Sequence, residues 1–230
     1  MRVEYGEIPH RLQEYRKYMS KNQEEMGELL CVSQSHYCRL ESGRNILSFE
    51  IIRTFWAKGG DIFWLITGER YRRGILDEYM EKCKSPDDRP EVLRLLIWVT
   101  RQGLRKARIQ VPGELRNMWK YVILAENQYR EDNIWINIRR AEKLSQKLMA
   151  DKIEIDVKRY RRLERLELQP DAYILMTLYR RLSYSPLLFL ENELYFPDVI
   201  NRIWEEFPGE IQEQCIRMLD EGMDFLEKDR

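Results

Sequence analysis

Residues 20–44 carry the sequence SKNQEEMGELLCVSQSHYCRLESGR, in which two short apolar helical patterns flank a tight turn. Asn22 precedes the first pattern and Glu25 follows it three residues later, which is the spacing of a capping box. Ser33 stands directly before the second pattern, where its hydroxyl can accept a hydrogen bond from a backbone N–H of the first helical turn. The stretch therefore predicts two helices, over 23–30 and 34–42, separated by the turn Cys31-Val32-Ser33.

The same kinds of signal extend outward from this stretch. Gly43 follows the second helix, where a left-handed C-cap favours a residue without Cβ. Gly27 on the first helix allows the second helix to pack closely across it, and Ser48 is an N-cap for a further run. Helical periodicity then predicts three more short helices, at residues 9–19, 49–57 and 61–66.

Together with FEIIRTFW at 49–56 and DIFWLITGE at 61–69, this stretch resembles the Cro/repressor-type (XRE-like) family of helix-turn-helix transcription regulators. The resemblance rests on the Gln after the first cap, Val-Ser at the turn, Leu-Glu-Ser-Gly after the second helix and the closing Trp-Leu-Ile-Thr-Gly-Glu. Cys31 departs from the family pattern, which has Gly there, and this leaves the detailed geometry of the turn open. The resemblance implies a helical DNA-binding domain in residues 1–70 of a bacterial or phage regulator.

The resemblance also implies which side chains meet DNA. Gln34, Ser35 and Arg39 occupy the positions that face bases, and Gln and Arg can bond adenine and guanine edges in the major groove. The positions expected to contact phosphate are Arg16, Asn22, Gln23, Ser42 and Arg44. The alternative is that all of these are ordinary polar residues on solvated helix faces.

A shift of 123 residues aligns the chain with itself. It pairs Arg16 with Arg139 and Gln23 with Gln146, and it pairs Arg-Leu-Glu at 39–41 with the same tripeptide at 162–164. The three helix caps correspond as well: Asn22 with Ser145, Ser33 with Asp156, Ser48 with Asp171. The match predicts a second, degraded helix-turn-helix-like domain, with Glu154 and Leu166 at the usual glycine positions. A chance alignment of helical segments is the alternative.

The second copy carries a basic helix where the first has its recognition helix. Valine replaces the base-contacting Gln at position 157, and Lys158, Arg159 and Arg162 lie among the residues that follow. One hypothesis is a phosphate-rich DNA contact, with Arg162 and Lys158 as candidates to reach bases. The other is a relic whose arginines pair with neighbouring acids such as Glu164 and Glu167.

The whole chain is expected to be an all-α protein of two similar halves, each a five-helix unit followed by a helical hairpin. The predicted segments are 1–70 (helix-turn-helix domain), 71–104 (hairpin), 105–130 (linker and extra helix), 131–190 (second helix-turn-helix-like domain) and 191–230 (acidic hairpin). The hairpins can pack on each other within one chain, or between the chains of a homodimer. The first arrangement sets Leu93, Leu96, Ile97 and Leu104 against Ile216, Leu219 and Leu226, and it predicts two unlike half-sites. The homodimer predicts a palindromic DNA site.

Charge and composition narrow the functional classes. The net charge is zero, but residues 71–190 carry 25 basic and 17 acidic groups, whereas residues 191–230 carry 4 and 12. A basic centre can still present a positive face to DNA. Only two histidines accompany the four cysteines, so a metal site is not expected, and the thiols are expected to be reduced and mostly buried.

No phosphate-binding Gly-rich loop or nucleophile–base set stands out, and the sequence predicts neither an enzyme nor a cofactor. No apolar run is long enough for a membrane helix, and the acidic, polar N-terminal residues favour a cytoplasmic protein. The expected function is sequence-specific binding of double-stranded DNA in transcription regulation, with repression the favoured outcome. Two alternatives stay open: a protein-interaction module of antitoxin or anti-repressor type, and a regulator gated by an effector.

Overall fold

The computed structural model describes residues 4–70, 74–83, 88–113, 115–116, 118–120, 133–191 and 197–228. Regular structure in these residues is helical throughout, without a strand, so the all-α expectation is confirmed. The described helices are α1 (Glu7–Tyr18), α2 (Gln23–Leu29), α3 (Gln34–Glu41), α4 (Phe49–Ala57), α5 (Ile62–Thr67), α6 (Ile75–Glu81), α7 (Arg89–Ala107), α8 (Ile134–Ala141), α9 (Gln146–Lys152), α10 (Val157–Glu164), α11 (Ala172–Leu182), α12 (Leu188–Glu191), α13 (Pro197–Glu205) and α14 (Gly209–Lys228), with a 3₁₀ turn at Glu4–Gly6 before α1.

The chain forms two compact units, and each unit is made of two segments that are separated in the sequence. The first unit contains Met1–Tyr71 and Leu144–Glu191, and the second contains Arg72–Lys143 and Asn192–Arg230. The expected second domain at 131–190 is therefore divided, because α8 belongs to the second unit and α9 to α12 belong to the first. Of the expected linker and extra helix at 105–130, α7 extends to Ala107 and residues 113, 115–116 and 118–120 are helical, while residues 114, 117 and 121–130 lie outside the described residues.

The helix caps have the geometry that the local sequence predicts. Asn22 Oδ1 accepts from Glu25 N at 2.9 Å and Glu25 Oε2 accepts from Asn22 N at 2.8 Å, which completes the capping box before α2. Ser33 and Ser48 cap α3 and α4 through their hydroxyls. At the positions 123 residues after Asn22, Ser33 and Ser48, Ser145 caps α9 through its hydroxyl, and Asp156 and Asp171 cap α10 and α11 through their carboxylates. Local hydrogen bonds thus decide where each of these helices begins.

Left-handed backbone recurs at the same offset in both parts of the first unit. Cys31 and Glu154 both have φ of 58°, and Gly43 and Leu166 have φ of 71° and 58°. At the turn, Val32 N donates to Gly27 O at 2.8 Å, and Ile155 N donates to Ala150 O at 3.0 Å. Cys31, Glu154 and Leu166 hold a conformation that usually favours glycine, so each adds strain.

One apolar core runs through the first unit and includes residues of both segments. Leu12, Leu40 and Ile52 from the N-terminal segment share it with Leu175 and Met176 from α11, all at most 1% exposed. The backbone joins the segments where Ala172 N donates to Leu47 O at 3.0 Å. Arg180 on α11 lies 3.6 Å from Glu7, and Tyr179 donates to Glu69 at 3.2 Å. The helices of both segments are therefore held together as one body within this unit.

The second unit is built on the packing of α7 against α14. Gly103 makes this close approach possible, since a Cβ there would lie 3.0 Å from Cys215 Sγ on α14 and 2.5 Å from the ring of Phe207, which precedes α14. A third helix, α13, packs on α7 as well: Trp204 Nε1 on α13 donates to Thr100 Oγ1 on α7 at 2.8 Å, so a polar atom of each buried side chain is satisfied. Asn201 Nδ2 donates to the Asp77 carboxylate at 3.1 Å in a second buried contact.

The apolar face of α14 differs from the expected one by one residue. Leu219 is fully buried, as are Leu93, Leu96, Ile97 and Leu104 on α7, but Ile216 is 36% exposed. Cys215 takes its place: its side chain is buried, its Sγ lies 3.9 Å from Val99 O, and burial raises the pKa of the thiol. The periodicity of 3.6 residues leaves two adjacent positions close to the edge of the same face, and packing selects the smaller side chain.

The left-handed positions predict an unusual response to glycine. Leu166 is 62% exposed and strained, so Leu166→Gly should stabilise the protein by about 0.5–1 kcal/mol, because little buried area is lost and the strain is relieved. Leu148 is a matched control, being 53% exposed within α9, and Leu148→Gly should destabilise by about 1 kcal/mol. Urea unfolding followed by circular dichroism measures both changes. A loss of stability in Leu166→Gly would contradict the strain argument.

Candidate nucleic-acid interface

The N-terminal helix pair, α2 and α3, is held at close range by its turn. A Cβ on Gly27 would lie 2.9 Å from Val32 O, so glycine lets the turn pass this near α2 without a local shift. Tyr37 and Leu40 on α3 are fully buried, and they anchor that helix in the core of the first unit. The opposite face of α3 is thereby turned to solvent.

The three expected base-contacting residues lie on this solvent face. Gln34, Ser35 and Arg39 are all exposed, and Gln34 is the first residue of α3. Ser35 Oγ lies 3.2 Å from the Ser33 hydroxyl, and Arg39 Nε donates to Ser35 O at 3.2 Å. These are weak, exposed contacts along one helix, which leave the side chains available to exchange them for a ligand's acceptors.

The five expected phosphate-contacting residues differ in how far their side chains are engaged. The Asn22 carbonyl oxygen is used by the capping box. Ser42 is exposed and donates to Arg39 O at 3.2 Å, and Arg44 is exposed in the loop after α3. Arg16 and Gln23 instead point at one buried carboxylate, that of Glu41. Asn22, Ser42 and Arg44 are exposed, whereas Arg16 and Gln23 are half-buried.

Glu41 is the centre of a cluster that joins α1, α2 and α3. Its side chain is 3% exposed, and Arg16 Nε donates to it at 2.8 Å while Gln23 Nε2 donates at 2.5 Å. Arg16 also donates to Lys21 O at 3.0 Å, in the loop that connects α1 to α2. The neighbouring Tyr37 is buried, and desolvation raises the pKa of its hydroxyl.

Sequence reasoning gave Glu41 no role, although a signal was present. The set Arg16, Gln23 and Glu41 recurs at the 123-residue offset as Arg139, Gln146 and Glu164. The contact recurs too, because Gln146 Nε2 donates to Glu164 Oε2 at 2.5 Å and Glu164 is buried. The repeated spacing of this acid from a Gln and an Arg is the sequence signal that the acid bonds to them in the fold.

The C-terminal helix pair, α9 and α10, separates its basic residues into two groups. Lys158 and Arg162 are exposed. Arg159 is half-buried, and its guanidinium lies 2.6 Å from the Asp171 carboxylate at the start of α11. Of the three residues expected to contact DNA here, two therefore face solvent and one forms an ion pair. Glu164 accepts from Gln146 as described above, and Glu167 lies 3.1 Å from Arg165.

A groove of about 860 Å³ lies between the loop after α3 and residues of the C-terminal segment, namely Glu154 in the turn between α9 and α10, Arg159 on α10 and Tyr173 on α11. Its lining includes His36, Ser42, Arg44, Arg159 and Glu154. The Glu154 carboxylate accepts from Arg181 and from the Tyr173 hydroxyl, and these contacts, Arg181 first, lower its pKa. The acid that lines this groove, Glu154, is thus already paired with groups of the chain itself.

Metal and thiol chemistry receive little support from the described residues. Among them, no three His, Cys, Asp or Glu side chains are grouped as a metal site would require. The four cysteines are unpaired, but the expectation that most are buried is wrong: Cys31 and Cys38 are exposed, Cys83 is half-buried and only Cys215 is buried. Cys38 lies on the exposed face of α3 because the buried positions of that helix are taken by Tyr37 and Leu40.

Comparison of the chain with protein-family models, with curated proteins and with solved structures gave no match. Among the described residues, no helix is both long and apolar enough to cross a membrane.

The Glu41 cluster predicts a large stability effect. Glu41→Ala should destabilise the protein by about 3 kcal/mol, because it leaves the Arg16 guanidinium, whose side chain is 15% exposed, without its partner. Glu28→Ala, at an exposed acid on α2, is the matched control and should change stability by less than about 0.5 kcal/mol. Urea unfolding measures both.

The double variant Arg16→Ala/Glu41→Ala completes the test. Its cost should be smaller than the sum of the two single costs, because the second change removes the group that the first left unpaired. Additive costs would show that the two side chains do not depend on each other.

Proposed function

We propose that this chain is a sequence-specific DNA-binding transcription regulator, in which α3 enters the major groove of double-stranded DNA. The observation that carries the proposal is the position of Gln34 at the start of α3. It is exposed, next to the exposed Ser35, on a helix whose other face is fixed in the core by Tyr37 and Leu40. A recognition helix needs this arrangement, since its N-terminal side chains must reach base edges while its backbone stays in place.

The chemistry of the exposed residues suits base edges. The Gln34 amide can donate to N7 or accept from N6 of adenine, and the Arg39 guanidinium can bond O6 and N7 of guanine. Arg44 and Ser42, in the exposed segment after α3, suit a neighbouring phosphate. Gln23 and Arg16 have a structural role instead, because their bonds to Glu41 fix the position of α2 relative to α3. Gln23 could contact a phosphate only after breaking its bond to Glu41.

Repression by occlusion of a promoter is the outcome that DNA binding of this kind supports most simply. The proposal needs no cofactor and no catalytic group. Selection of bound sequences from a random duplex library tests it directly, since a regulator enriches one motif. Binding that is absent, or that does not weaken as salt is raised, would instead favour a module that binds proteins.

Readout by α3 predicts a specific pattern of mutant affinities. Gln34→Ala should weaken binding to the selected duplex by roughly 1–3 kcal/mol and leave binding to random duplex nearly unchanged, because only base contacts are lost. Gln23→Ala should weaken both duplexes, because it removes a donor that joins α2 to α3 through Glu41. Fluorescence titration of labelled duplexes at fixed salt measures the two affinities.

Gln169→Ala provides the matched control, because Gln169 is an exposed glutamine of the first unit that lies between α10 and α11. Its affinity for either duplex should equal that of the unmodified protein. Equal losses on selected and random duplex for Gln34→Ala would remove the assignment of Gln34 to a base.

A further inference from the structure

Four cations form a line along the exposed face of α10. The cationic stripe is defined as Lys158, Arg161, Arg162 and Arg165, and all four residues are exposed. Arg161, Arg162 and Arg165 follow Lys158 by three, four and seven residues, so all four lie on one face. Arg165 is the first residue after the end of α10. With a rise of 1.5 Å per residue, the stripe is about 10 Å long.

The matching positions of α3 have a different chemistry. An offset of 123 residues relates the stripe to Ser35, Cys38, Arg39 and Ser42, which are also exposed but include a single cation. The difference extends to the helix pairs as wholes. Residues 22–43 contain one basic and four acidic residues, whereas residues 145–166 contain seven basic and four acidic ones. The N-terminal pair is net negative and the C-terminal pair is net positive.

The positive charge of the stripe is only partly compensated by the chain. Arg165 lies 3.1 Å from Glu167, with both side chains at least half exposed, and such a pair contributes little. Arg161 Nε donates to the neutral Gln146 amide oxygen at 3.2 Å. Lys158 and Arg162 form no ion pair with an acid in the described part of the chain. A polyanion would therefore meet at least three cations that do not have to abandon an acidic partner.

The start of α10 lacks the group that contacts a base in the proposal for α3. Val157 stands at the position of Gln34, is half-buried, and has no polar side-chain atom. The Gln146–Glu164 bond nevertheless joins α9 to α10, as Gln23–Glu41 joins α2 to α3. The same helix-pair geometry thus presents charge in one place and hydrogen-bonding groups in the other.

We infer that the cationic stripe binds the phosphate backbone of the same duplex without regard to sequence, and that it supplies most of the affinity while α3 selects the site. The inference rests on the proposed function. It follows from electrostatics, because ammonium and guanidinium groups that neutralise phosphates release counterions, and this term is independent of base sequence. The net negative N-terminal pair gains little from that term and needs the affinity from elsewhere in its unit.

The test is a salt titration of the full chain with fluorescent duplexes of random and of selected sequence. K158A/R161A/R162A should reduce the slope of log affinity against log salt by about two to three units. Affinity for both duplexes should fall about 10- to 100-fold at 0.1 M salt, with their ratio unchanged. Gln34→Ala should give the opposite result, a lower ratio with an unchanged slope.

The control variant removes equal charge elsewhere in the first unit. Lys17, Arg53 and Lys58 are exposed there, so K17A/R53A/K58A keeps the net charge of the test variant. It should bind almost as the unmodified protein does. Equal losses in the two triple variants would overturn the inference, because they would show an effect of net charge alone.

A charge-conserving variant separates phosphate contact from base contact. R161K/R162K should keep the slope and most of the affinity, because a phosphate accepts either cation, whereas paired bonds to guanine need the guanidinium fork. A loss in this variant confined to the selected duplex would overturn the inference in favour of base contact by α10. Circular dichroism checks that each variant is folded, which the exposure of all four positions favours.

The outcomes also distinguish this inference from the proposed function. If the unmodified protein prefers a selected duplex and the stripe variant matches the control, the inference alone fails. If random and selected duplexes bind equally and the stripe variant loses affinity for both, the proposed sequence-specific function fails. Phosphate binding by the cationic stripe is then still supported. Preference of the stripe for single-stranded RNA, or no binding of any duplex at low salt, overturns the inference. Hydroxyl-radical footprinting should show protected backbone beyond the selected bases, on one side only.

Discussion

The buried carboxylate of Glu41 is the contact on which the geometry of the N-terminal helix pair depends. A carboxylate with 3% exposure loses most of its hydration, and hydrogen-bond donors of the protein must replace the lost water. Arg16 reaches it from α1 and Gln23 from the start of α2, so a single acid near the end of α3 joins three helices. Because the acid faces inward with Tyr37 and Leu40, the positions on the other side of α3 must face solvent. The exposure of Gln34 and Arg39 is a consequence of this arrangement.

Much of the fold could be predicted from the sequence, because its helices begin and end on local signals. Asn22 with Glu25, Ser33 and Ser48 specify N-termini through hydrogen bonds within three residues, and such bonds do not depend on the rest of the chain. The division into two units could not be predicted in this way. It depends on contacts between residues more than a hundred positions apart, such as Leu47 with Ala172, and periodicity carries no information about them.

The candidate site likewise contains some features that the sequence predicts and others that it does not. Exposure of the α3 residues follows from helical spacing once Tyr37 and Leu40 are placed in the core. The bonds of Arg16 and Gln23 to Glu41 do not follow from helical spacing. An arginine near a helix end can bind a phosphate or a buried acid, and the sequence does not distinguish the two. Cys38 and Ile216 illustrate a finer limit. Spacing identifies the face of a helix, but the exposure of a residue at the edge of that face depends on the size of the neighbours that pack there.

Comparison of the two helix pairs distinguishes the residues that maintain the helix-pair geometry from the exposed residues that are free to differ. Their caps, left-handed turns and Gln–Glu bonds coincide at one offset, even where Cys31, Glu154 and Leu166 adopt strained backbone. Their exposed positions differ almost completely, because a solvated side chain can change charge at little cost to stability. Electrostatic interactions between exposed groups are screened over about 8 Å at physiological ionic strength. A ligand at α10 therefore responds to the nearby cations of that helix far more than to the zero net charge of the chain.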